Sequence, residues 1–105
     1  MEILNLPVKR TLFNGMTPEQ YFLESRQAQA NGADCSMWEW RIALVDDFGL
    51  TEGWAYEVVK KLIKKYKDLG QIRTEKIEYE TYGGKKWKDV QFWWNPELLP
   101  PPNEE

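Results

Sequence analysis

The sequence predicts an α+β domain in which three helices are followed by a two-stranded β-hairpin. Three observations carry this reading. Capping residues stand at Thr17, Ser36 and Thr51, each ahead of a run whose apolar residues recur at helical spacing. After Gly70 the pattern changes from helical to strand-like, and Ile, Thr, Tyr, Val, Phe and Trp dominate as far as Trp94. The pair Gly83-Gly84 divides that stretch where a tight hairpin turn is needed.

Residues 1–16 read as an N-terminal arm. They contain Pro7 and the turn pair Asn14-Gly15 and leave room for a short strand from Glu2 to Leu6. The domain proper is residues 17–94. In Thr17-Pro18-Glu19-Gln20, Thr17 caps, Pro18 suits the first helical position and Gln20 completes a capping box. The first helix then runs to about Ala30 and stops at Asn31-Gly32, with Tyr21, Phe22, Ser25 and Ala28 on its core face. Ser36 and Glu39 frame a second capping box. The second helix, to about Phe48, has a broad apolar set of Met37, Trp38, Trp40, Ile42, Leu44, Val45 and Phe48, which predicts a helix sandwiched between others.

Gly49-Leu50 makes a short turn, and Thr51 caps a third helix that ends at Gly70. Ala55, Val58, Val59, Leu62, Tyr66 and Leu69 line its inner face; Gly53, Glu57, Lys60 and Lys64 lie opposite, flanked by Tyr56, Lys61 and Lys67. With Gly83-Gly84 as a two-residue loop, Ile77 faces Val90 and Tyr79 faces Lys88. Ile72 is then out of phase with Ile77, so a bulge is expected between them. Trp38, Leu44, Val58, Leu62 and Phe92 are expected to be buried together, whereas Trp54 and Trp87 fall near or outside the edge of the core. Residues 95–105 read as a flexible, Pro-rich acidic tail.

Composition narrows the chemistry. A chain of 105 residues with 42% hydrophobic content and six tryptophans is long and apolar enough for one core. It has one cysteine, Cys35, and no histidine, so there is no intrachain disulfide, no cysteine-based zinc site and no histidine base. No nucleophile–base pair, phosphate-cradling glycine loop or metal-ligand cluster is legible, and the expectation is a protein that is not an enzyme and needs no cofactor. Cys35 reads as a small buried side chain. Asp46-Asp47 and Glu39 read as a solvated or partner-facing acidic patch, because neighbours on a helix diverge by about 100°. No apolar stretch reaches membrane-spanning length and residues 1–13 lack the apolar core of a secretory signal, so a cytoplasmic location is expected.

The segment Phe48-Gly49-Leu50-Thr51-Glu52-Gly53-Trp54-Ala55, then Val58-Val59-Lys60-Lys61-Leu62 and Leu69-Gly70-Gln71-Ile72, resembles the winged helix-turn-helix family. The resemblance spans roughly 17–94. It implies DNA binding, with the third helix in the major groove and the hairpin wing alongside. Carried over by position, Gly53, Tyr56, Glu57, Lys60 and Lys64 face DNA, and Lys85, Lys86 and Lys88 sit at the wing tip. The third helix carries no Arg, Asn or Gln, the usual sources of bidentate base contacts, which makes base-specific readout the weak link.

The net charge of −3 is unevenly spread: residues 1–55 carry −4, residues 56–94 carry +4, and the tail −3. The basic segment suits double-stranded DNA and a small transcriptional regulator or an accessory protein of a phage or mobile element. The acidic total, the acidic head of the third helix and the aromatic load suit the alternative, a winged helix used as a protein-interaction module, an inhibitor or adaptor. Homodimerisation is compatible with either.

Overall fold

A computed structural model describes residues 13–103. The strand considered for Glu2 to Leu6, and all of the arm before Phe13, lie outside the described residues. At the arm's end, Phe13 and Met16 bridge through paired backbone bonds of 2.9 Å around Asn14-Gly15.

The expected first helix forms as α1, Pro18–Leu23, and α2, Ser25–Ala30. The junction is Glu24, whose N–H reaches back three residues to the Tyr21 carbonyl at 3.0 Å, a local tightening within one helical path. Both halves of the Thr17 capping box are made: Gln20 N–H donates to Thr17 Oγ1 and Thr17 N–H to Gln20 Oε1. Next come β1, Cys35–Ser36; α3, Met37–Phe48; α4, Glu52–Asp68; β2, Ile72–Glu80; and β3, Lys86–Trp94, followed by a 3₁₀ turn at Pro96–Leu98. The fold is therefore α+β, three helices and then a hairpin, with the two-residue β1 as an addition. The sheet is antiparallel in the order β1-β3-β2.

Phe22, Leu44, Phe48, Val58, Val59, Leu62 and Phe92 are fully buried, and Phe22 stands among the rings of Trp40, Tyr66, Phe92 and Trp94. Two expectations for the core fail. Leu69 is 59% exposed, because α4 ends at Asp68 and Gly70, at φ +74, turns the chain away just past the core's edge. Trp38 is 46% exposed, because α3 turns Met37, Trp40, Leu44, Val45 and Phe48 to the core and leaves Trp38, with Ile42, on its outer side.

The hairpin register also differs from the expected one. Ile77 pairs with Asp89, Glu78 with Lys88, Tyr79 with Trp87 and Glu80 with Lys86. The loop has three residues, not two. Gly84 N–H bonds to the Thr81 carbonyl and Thr81 N–H to the Lys85 carbonyl, and Gly84 alone of the two glycines takes a positive φ, +75. This is a turn closed by a left-handed residue, whereas a two-residue type I′ loop needs positive φ at both positions. The one-residue shift puts Ile72, Trp94, Phe92 and Val90 on the same face, and pairing runs without interruption from Ile72 to Glu80, so no bulge forms.

Residues 95–103 lie back along α2. Gln27 Nε2 donates to the Pro101 carbonyl at 3.0 Å, Asn103 N–H to Asn31 Oδ1 at 2.8 Å, and Leu98 and Leu99 pack on the core. Among the described residues, no helix is long and apolar enough to cross a membrane.

Candidate functional site

The outer face of α4 follows from its sequence. Thr51 Oγ1 accepts from Trp54 N–H and fixes the start of the helix. Burial of Ala55, Val58, Val59, Leu62, Ile63 and Tyr66 then turns Gly53, Tyr56, Glu57, Lys60 and Lys64 to the exposed side. A Cβ built on Gly53 would meet no atom within 4 Å, so nothing in the fold requires a glycine there. Lys60 Nζ lies 5.7 Å from the Tyr56 ring centroid one turn away, and Lys64 pairs with Asp68 at 2.6 Å. Lys61 and Lys67 are exposed and have no ion-pair partner among the described residues. Lys65 turns the other way and bonds Glu19 of α1.

At the hairpin, Lys85, Lys86 and Lys88 are all exposed. They do not form a purely basic tip. Lys88 lies directly across from Glu78 and Lys86 across from Glu80, and Lys86 Nζ approaches Glu78 Oε1 to 4.0 Å. Cross-strand pairs of opposite charge stabilise the sheet, which supplies a structural reason for two of the three lysines.

Helix and hairpin meet at a cleft of ≈ 220 Å³ lined by Met37, Trp38 and Arg41 of α3, Tyr56 of α4, Lys76 of β2, and Lys88, Asp89 and Val90 of β3. An adjoining hollow shares Trp38, Arg41 and Lys88 and extends to Lys85 and Trp87. Of the residues expected from the sequence, Tyr56, Lys85 and Lys88 are thus brought to one continuous surface. Lys60 and Lys64 lie farther along α4, and Lys86 lines neither hollow.

Sequence reasoning missed Trp38, Arg41 and Lys76. Trp38 is held in place by its backbone: its N–H donates to Asp89 Oδ1 at 3.1 Å, so a hairpin carboxylate caps the first turn of α3. The Arg41 guanidinium sits 4.4 Å over the Trp38 ring. Trp38 also meets Trp87 at 5.9 Å, and Trp87 stacks on Tyr79 at 4.4 Å. The result is a partly exposed row, Arg41, Trp38, Trp87, Tyr79. The signal available in the sequence was Arg41 placed three residues after Trp38, a cation on the flank of an otherwise apolar helix face.

Of the other candidates, Glu39 and Asp46 are exposed, while Cys35 and Asp47 are engaged in the fold. Cys35 is buried, its Sγ 3.7 Å from the Ser25 carbonyl, and burial pushes the thiol up to about 11. Asp47 accepts from the Tyr21 hydroxyl, and burial followed by that contact raises the phenol. Among the described residues, no group of three His, Cys, Asp or Glu side chains gathers that could hold a metal ion. No family model, curated protein or solved structure matches this chain.

Proposed function

We propose that the chain binds double-stranded DNA as a winged helix-turn-helix domain, with α4 in the major groove and the β2–β3 hairpin alongside as the wing. The observation that carries this reading is the outer face of α4. It presents Lys60, Lys61 and Lys64 to solvent, and Tyr56 in its first half faces Lys76 and Lys88 of the hairpin across a shared cleft. The order of elements and the strand order β1-β3-β2 support the same reading. Because α4 has no Arg, Asn or Gln, binding is expected to be dominated by phosphate contacts. That suits an accessory factor better than a regulator that reads a defined operator.

The test is fluorescence anisotropy with random-sequence duplex over a range of salt. Lys60→Ala with Lys61→Ala should weaken binding, and each lost phosphate contact should lower the salt slope by about 0.9. Lys86→Ala should do less, because Glu78 and Glu80 already face that lysine. Absence of duplex binding at low salt overturns the reading. A protein-interaction role then takes its place, favoured by the shallow hollow of Thr51, Gly53, Trp54 and Glu57 at the head of α4 and by the net charge of −3.

A further inference from the structure

Trp38, Tyr56, Tyr79 and Trp87 each leave about two-fifths of their surface exposed, and they gather where α3, α4 and the hairpin meet. A continuous duplex gives them little to bind. Its bases are stacked on one another and offer side chains only their edges. An aromatic ring finds a base face at an unpaired nucleotide or a duplex end, where stacking is favourable and tolerant of sequence.

The charges around these rings match such a ligand. Arg41, Lys76 and Lys88 line the cleft with Trp38 and Tyr56, and its single carboxylate, Asp89, gives one oxygen to the N–H groups of Trp38 and Val90. Lys85 and Trp87 continue the same alternation of cation and ring in the adjoining hollow. The cleft holds ≈ 220 Å³ and the adjoining hollow ≈ 530 Å³, and the two share Trp38, Arg41 and Lys88 along one open, elongated surface. That shape suits a strand of successive nucleotides better than one isolated metabolite.

We propose that this track binds unpaired nucleotides adjoining a duplex, their bases against Tyr56, Trp38 and Trp87 and their phosphates on Arg41, Lys76, Lys88 and Lys85. The inference rests on the nucleic-acid reading above and narrows its target from continuous duplex to a junction of single and double strand.

The experiment compares the full chain on three labelled probes: a blunt duplex, the same duplex with a single-stranded thymidine overhang, and the overhang strand alone. The overhang should tighten binding by on the order of tenfold over the blunt duplex. It should also quench tryptophan fluorescence beyond any change the blunt duplex produces. Trp38→Ala and Trp87→Ala, both at half-exposed positions, should erase the overhang's advantage over the blunt duplex. Equal binding and equal quenching by blunt and overhanging probes overturn the inference and leave duplex binding standing. Binding of the overhang strand without any binding of the blunt duplex upholds the track and removes the groove reading. No binding to any probe overturns both.

Discussion

Single side chains at the back of the sheet show how closely this fold accounts for its polar atoms. Ser25 sits on the core face of α2 as a fully buried residue, an unusual place for a hydroxyl. Its Oγ accepts from the Trp94 indole Nε1 at 2.8 Å, while the Trp94 backbone N–H donates to Gln29 Oε1 at 2.8 Å. One helix thus fixes the last residue of β3 at two points. Among the described residues, no buried side-chain nitrogen or oxygen lacks a hydrogen-bond partner. Ser25→Ala would strand the indole N–H in the core and should cost about 1–3 kcal/mol, read as a lower urea midpoint at unchanged m-value. Ser25→Thr keeps the hydroxyl, so its loss should reflect only the added methyl. The sequence placed Ser25 on the core face by spacing alone. It gave no sign of the partner 69 residues away.

The elements themselves were legible wherever several residues repeat one signal. Caps and apolar spacing identified α3 and α4 to within a residue, and the long alternating stretch identified the hairpin. β1 was not legible, since two residues carry no period. The register was missed because Gly83-Gly84 satisfies two loop types, and the choice depends on which glycine is left-handed. That one-residue difference decides how the site is read. It sets Glu78 and Glu80, instead of Tyr79 and Thr81, across from Lys88 and Lys86 and turns an expected basic tip into alternating charges. Trp38 was misplaced for a related reason: the apolar residues of α3 outnumber the partners available to cover them. The turn can be tested directly. Gly84→Ala forces a Cβ into the left-handed region and should cost about 1–2 kcal/mol. Gly83→Ala, at negative φ or extended backbone with open space around it, should be neutral or slightly stabilising. Equal losses in thermal melts would point to the two-residue loop instead.

Across the whole molecule, folding redistributes the charge that the sequence segregates. The acidic first half and the basic second half meet where Glu19 of α1 receives the Lys65 ammonium and the Tyr66 hydroxyl of α4, the latter at 2.7 Å. Lys65 is thereby withdrawn from the basic face of α4, on which Lys60, Lys61, Lys64 and Lys67 stay exposed. The same contact makes stability depend on pH. Burial alone would raise the Glu19 carboxyl, but the hydrogen bonds from Lys65 and Tyr66 outweigh it and hold the group below its ordinary value of 4.5. A carboxyl depressed in the folded state contributes stability above its unfolded value and loses it as pH falls through the folded one. The urea midpoint of the wild type should therefore decline below about pH 4.5. Glu19→Gln should have a lower midpoint than wild type at pH 7 and a shallower acid limb, so that the two curves converge on acidification. Parallel curves across that range would show that the α1–α4 contact adds no pH-dependent stability, and that the basic face of α4 is shaped by packing alone.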